Sequence, residues 1–231
     1  MEQLSNFGDK RNQGFCVHCG GPDESNDHIP SKVLLDEPFP ENMHVCACCL
    51  RCNNGLSADE EYLACLLECV LAGSAEPSII QRAKIGRLLA AKPPLLARLQ
   101  KARSNETSPP VWNVENDRVR RVVLKLARGH VAYELNEPQL EDPDDLDYRP
   151  LSILTDKERD EFEGATANLL APWPEVGSRS LQRMLVVGSE AYGAGWIDVQ
   201  EGNYRYLVSQ IGGPTVKIVL REYLACDVHW N

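Results

Sequence analysis

No apolar run in this chain is long enough to span a bilayer, and no cationic-then-apolar leader opens it. We therefore expect a cytoplasmic protein that has no membrane partner. P-loop and dinucleotide fingerprints are missing, as is any internal repeat, which removes the common nucleotide-binding and solenoid architectures. Base is in deficit too: 24 Lys and Arg stand against 34 Asp and Glu, a net charge of −10. That balance counts against a protein whose whole surface meets phosphate. An even cysteine count is also lacking, and nine cysteines cannot form a fully paired disulfide framework.

What is present is ordinary in bulk and uneven in placement. Hydrophobic residues make up 43% of the chain and charged ones 25%, as folded proteins require. At 231 residues it can build one generous core or two small ones. The acidity is not uniform. Arg82 to Arg128 holds 12 basic and 3 acidic residues, a local charge of +9 that leaves −19 for the remainder. A segment of that sign can face a phosphate backbone inside an acidic protein.

The cysteines gather where chemistry is most legible. Cys16 and Cys19 have the C-x2-C spacing that presents two thiolates from one tight turn. A second group, Cys46, Cys48, Cys49 and Cys52, permits either a 46/49 or a 49/52 pair. Two such pairs close a tetrahedral four-thiolate zinc site, and thiolates bound to metal suit a reducing cytoplasm. His18 sits inside the first turn and reads as exposed rather than as a ligand. Between the two groups lies Asp27-His28-Ile29-Pro30, and Asn53 follows Cys52 directly. Asp27-His28-Ile29 should be a short strand, since Pro30 cannot donate to a continuing ladder. Neighbours on a strand face opposite ways, so Asp27 and His28 share a site only where the backbone bends.

Over roughly residues 14–63 this string resembles the HNH endonuclease family, in which C-x2-C, Asp-His-(apolar)-Pro, a hairpin and C-x2-C-(His or Asn) follow in order. The resemblance implies an α+β protein with an N-terminal ββα-metal module, clipped by a structural Zn²⁺ on Cys16, Cys19, Cys49 and Cys52. It favours the 49/52 pair, which leaves Cys46 and Cys48 as small buried residues. It implies phosphodiester hydrolysis, with His28 as general base and Asp27 and Asn53 as oxygen donors to a catalytic Mg²⁺ or Mn²⁺. Asn42 corresponds to the amide that brackets the histidine loop. The implied partner is nucleic acid, DNA first, in a setting such as bacterial defence against phage. A regulatory protein partner and a homo-oligomer both stay open. The competing class is a zinc-stabilised nucleic-acid or protein-binding module without turnover.

The rest of the chain divides into central helices and a C-terminal antiparallel meander. Ser57 and Glu60 predict a capping box for a helix ending near Gly73. Cys65 and Cys69, on its flank, read as core cysteines. PSIIQRAKIGRLLAA and PPLLARLQKAR predict two further helices, and 104–110 is loop composition. Expected domains are 1–73 (nuclease module), 74–110 (helical linker) and 111–231 (accessory α+β domain). From Asp117 a helix should run to a stop at Gly129, with Val119, Val122, Val123 and Leu126 on one side. Arg118, Arg121, Lys125 and Arg128 form a basic stripe opposite, read as a phosphate-binding face or a solvated one. Residues 137–147 carry six acids and no base, the composition of a solvated loop. A helix from Thr155 to Leu170, capped by Thr155 and Glu158, precedes three strands at 196–200, 204–210 and 216–224.

Overall fold

Alternation of polar and apolar residues builds the sheets, and helical periodicity fills the centre of the chain. In the computed structural model, residues 2–4, 13–104, 109–164, 178–179, 195–210 and 212–231 are described. The chain is mixed α+β and divides into two units, Met1–Gly55 with Val123–Asn231, and Leu56–Val122. These bounds fall at 55/56 and 122/123, elsewhere than the expected breaks after 73 and 110. Among the described residues no helix is long and apolar enough to cross a membrane.

The first unit begins with a small sheet of β1 (Glu2–Leu4), β2 (Ser25–Ile29) and β3 (Asn42–Cys48), in the order β1-β3-β2. β2 runs antiparallel to β3 without a register shift, from Ser25 opposite Cys48 to Ile29 opposite His44. Helix α1 (Leu50–Gly55) follows directly, so the order is strand, strand, helix. β1 is a difference from expectation, because residues 1–13 have no strand pattern. Its backbone pairs parallel with β3 from Glu2 opposite Asn42 to Leu4 opposite His44. Three residues are too few for alternation to register in sequence.

The second sheet of this unit is antiparallel, in the order β4-β8-β7-β6-β5. It contains β4 (Asp145–Pro150), β5 (Ile197–Gln200), β6 (Tyr204–Ser209), β7 (Thr215–Leu220) and β8 (Leu224–His229). The expected third strand, 216–224, is two strands. Arg221 and Glu222 take positive φ, 57° and 45°, and turn the chain between them. Gly and Asn usually mark such a turn, so an Arg-Glu pair leaves no signal. Tyr204, Tyr206, Val216 and Ile218 are buried on one face of the sheet. His130 stacks on Tyr206 with centroids 3.7 Å apart and bonds the Tyr204 hydroxyl at 2.7 Å. The tyrosines are therefore core residues.

Helix α5 (Asn116–Leu135) passes through the expected stop at Gly129. A Cβ at Gly129 would lie 1.9 Å from the Cδ1 of Ile29, so glycine is there for close approach to β2. Val119, Val122, Val123 and Leu126 are all buried, as their spacing predicts. The acidic segment is tied down more than its composition suggests. Trp230 Nε1 donates to the Glu141 carbonyl at 3.2 Å, and β4 starts at Asp145. Helix α6 (Asp156–Glu163) has the predicted capping box of Thr155 and Glu158, and residues 165–170 of the expected helix lie outside the described residues.

In the second unit, α2 (Ser57–Ala72), α3 (Ala83–Ala91) and α4 (Pro93–Ala102) pack on one another. Gly73 ends α2 in the left-handed region, as predicted. The Ser57–Glu60 capping box does not form. Leu56 holds helical backbone at the N-cap position, and its carbonyl accepts from the Asp59 and Glu60 amides, each at 2.9 Å. The neighbouring Asp59 carboxylate takes Arg118 at 3.0 Å and Arg121 at 2.8 Å. Cys65 and Cys69 are buried, and burial pushes both thiols up to about 12.

Candidate metal centre

Four sulfur atoms meet in the first unit. Cys16, Cys19, Cys49 and Cys52 place every Sγ within 4.8 Å of the others, a set able to hold a metal such as zinc. The Cys19–Cys49 separation is 3.7 Å. With Zn–S near 2.3 Å, the edge of a tetrahedral four-thiolate shell is about 3.8 Å. The donor set therefore fits the ion in number, type and spacing.

Local backbone explains how two short segments bring four thiols together. The Cys16 amide donates to the Gly21 carbonyl at 2.7 Å, and the Gly20 amide returns to Cys16 at 2.8 Å, with Gly20 at φ +70°. Gly21 matters for space, since a Cβ there would sit 3.3 Å from Cys19 Sγ. In the second turn, the Cys52 amide donates to Cys49 Sγ at 3.3 Å at the start of α1. Four thiols this close do not all ionise without a cation. A backbone hydrogen bond from Gly21 draws Cys19 down to about 6, while burial pushes Cys52 up. A divalent metal stabilises all four as thiolates. Arg51 lies beside Cys19, whose hydrogen bond raises the guanidinium pKa.

Next to this set is a second buried group. Asp27 Oδ2 lies 3.1 Å from His18 Nε2, and the Lys125 ammonium is 3.0 Å from each Asp27 oxygen. Side-chain exposure is 4% for His18, 5% for Asp27 and 3% for Lys125. Burial alone would raise the Asp27 pKa, but the His18 hydrogen bond and the Lys125 charge outweigh it and hold the carboxyl below its ordinary value. Cys46 lies 3.9 Å from His18 Nε2. Cys48 Sγ lies 4.0 Å from Cys16 Sγ. Both are buried, as expected of them.

The structure does not bring together every residue that sequence proposes for the site. Because β2 stays in register through Ile29, Asp27 and His28 fall on opposite faces. Asp27 points into the buried group, whereas His28 is half-buried. The bend before Pro30 that would join them is not there. His28 has its pKa lowered by burial first and by the Lys32 charge second, which keeps the imidazole neutral at pH 7. Asn53 in α1 donates from Nδ2 to Ser25 Oγ at 3.1 Å and to the Asn26 carbonyl at 3.3 Å, two residues from His28. Since a carbonyl only accepts, Nδ2 must face it, which leaves Oδ1 as the atom suited to a cation. Asn42 opens β3, and its side chain lies outside what the structure describes.

The basic stripe of α5 does not present four outward charges. Arg118 and Arg121 pair with Asp59 in the second unit. Lys125 is buried against Asp27, a correction to the phosphate-contact reading with desolvation as its reason. Arg128 donates to the carbonyls of His18 at 3.1 Å, Leu140 at 3.1 Å and Glu141 at 2.9 Å, a tie within the first unit. Sequence reasoning overlooked His18 and Lys125 as partners of Asp27. In sequence His18 reads as exposed, and a lysine in a basic stripe carries no mark of burial. Compared with protein-family models, curated proteins and solved structures, the chain matches none.

Proposed function

We propose that this chain is a zinc-stabilised endonuclease of the HNH type that hydrolyses phosphodiester bonds in nucleic acid, DNA first. The observation that carries this reading is a complete four-cysteine set joining the turn before β2 to the start of α1, with Asn53 bonded to the strand that bears His28. His28 takes a proton from the attacking water, a role its lowered pKa suits at pH 7. Asn53, through Oδ1, is the residue that would hold the cation. Mg²⁺ or Mn²⁺, when bound, neutralises charge on the phosphorane and the departing 3′ oxygen. The cysteine set takes no part in proton transfer, because a four-thiolate shell leaves no open position. Lys32 and Arg51, in the same unit as His28, are the cations that would meet the phosphate path.

A second reading, a zinc-stabilised binding module without turnover, is favoured by one observation. Both Asp27 oxygens are engaged by Lys125, and His18 holds one of them, so this carboxylate is turned away from the face where a catalytic cation would sit. Incubating zinc-loaded protein with plasmid, single-stranded DNA and RNA, with Mg²⁺, Mn²⁺ or EDTA, separates the two. Cleavage that EDTA stops and that His28→Ala removes, at unchanged zinc content, supports the nuclease. Binding without cleavage by folded, zinc-loaded protein supports the module.

A further inference from the structure

Three donors beside the four-cysteine set are themselves close enough to share an ion. His18, Asp27 and Cys48 place one nitrogen, one oxygen and one sulfur within 4.8 Å of one another, and all three residues are buried. Their origin in the fold is simple. Asp27 lies directly opposite Cys46 in the β2–β3 ladder, and Ser25 opposite Cys48, so alternation puts Asp27, Cys46 and Cys48 on one face. His18, from the first cysteine turn, covers that face and reaches Asp27 at 3.1 Å and Cys46 at 3.9 Å.

We propose that His18, Asp27, Cys46 and Cys48 form a second zinc site, beside the one held by Cys16, Cys19, Cys49 and Cys52. The His18–Asp27 separation suits two ligands of one ion, since Zn–N and Zn–O bonds near 2.0–2.2 Å give a tetrahedral edge of about 3.4 Å. Charge also closes. One Zn²⁺ with two thiolates, one carboxylate and a neutral imidazole carries −1, and Lys125 supplies the compensating +1. Lys125, 3.0 Å from each Asp27 oxygen, is then the outer charge that orients the ligating carboxylate. Each thiol gives its proton to solvent as the metal enters, so no oxidant or reductant is involved. The site goes beyond the endonuclease reading and does not depend on it. It makes Asp27 a structural ligand and leaves the catalytic cation to Asn53 and the phosphate.

Counting zinc in the full-length protein tests this apart from any cleavage assay. After loosely held metal is removed with a weak chelating resin, elemental analysis and native mass spectrometry should give two zinc ions per chain. Cys48→Ala and Asp27→Asn should each reduce the count to one, with the four-cysteine ion retained. Cobalt substitution gives a second readout: wild type should take up two Co²⁺, and Cys46→Ala should lose the thiolate-to-cobalt absorption of one. A single zinc per wild-type chain overturns the proposal, and that count stands even if a variant fails to fold. Two zinc ions that both persist in folded Cys48→Ala and Asp27→Asn overturn it as well.

Discussion

The two faces of β2 carry adjacent residues into different chemistry. On one face Asp27 is sealed between His18 and Lys125, with Cys46 and Cys48 from the neighbouring strand. On the other His28 stays half-buried, and Asn53 is tied to the strand two residues away. An Asp-His pair read as one catalytic unit is thus split by an unbroken ladder. Five residues of regular pairing decide this, because the side-chain period of a strand is two and leaves no freedom to turn one neighbour round. The inner face holds structure together, and the chemistry we propose belongs to the outer one.

The largest expected effect comes from removing what holds both faces. Cys52→Ser or Cys16→Ser should abolish zinc binding at the four-cysteine set and unfold the region around β2, β3 and α1. Structural zinc contributes about 10–16 kcal/mol in small metal domains, comparable with the entire stability of many folds. Far-UV circular dichroism with metal analysis checks it. A folded Cys52→Ser protein with full zinc would mean that Cys46 or Cys48 closes the site instead. Next in size, His28→Ala should reduce cleavage by about 10²–10⁴-fold with zinc content and nucleic-acid affinity retained. An undiminished rate would remove His28 from the mechanism and leave the outer face without its base.

How far these faces could be read in the sequence depends on the range of the forces involved. The C-x2-C turns, the Asp-His strand and the Thr155–Glu158 cap are local, and the structure has each of them. Turn chemistry at Arg221-Glu222 was not legible, because backbone with positive φ usually announces itself through Gly or Asn. Gly129 misled for the opposite reason. It looks like a helix stop, yet it exists to admit the side chain of Ile29, a contact a hundred residues away in sequence. Ser57 and Glu60 have the right spacing for a capping box, but the carbonyl of Leu56 already takes the first amides of α2. Long-range electrostatics was the least visible. Nothing within Asp117–Arg128 indicates that Lys125 meets Asp27 while Arg121 meets Asp59.

That divergence within one helix gives the third test. Lys125→Ala should destabilise the first unit by about 3–5 kcal/mol, because it leaves the Asp27 carboxylate buried without its partner. Urea unfolding with an unchanged m-value would measure this as a stability loss. A cost below ~1 kcal/mol would show that water reaches Asp27 and that the inner face is not sealed.

Arg121 offers the smallest effect and the sharpest contrast, four residues from Lys125 on the same helix. Its side chain is 52% exposed, so its guanidinium meets the buried Asp59 carboxylate at 2.8 Å from the solvent side, and Arg118 holds the same carboxylate at 3.0 Å. Water and salt already screen such a pair, and holding a long side chain in one place costs entropy, so Arg121→Ala should change stability by only ~0.2–1 kcal/mol. Nucleic-acid binding separates a structural role from a functional one here. If Arg121 leaves Asp59 to meet a phosphate, its removal should shrink the slope of log affinity against log salt by about one unit on duplex DNA. If Arg121 stays with Asp59, the slope should not move, and the phosphate path then runs past Lys32 and Arg51. Changing those two residues together should flatten the slope by about two units, while Lys125→Ala, whose charge never reaches solvent, should leave it unchanged.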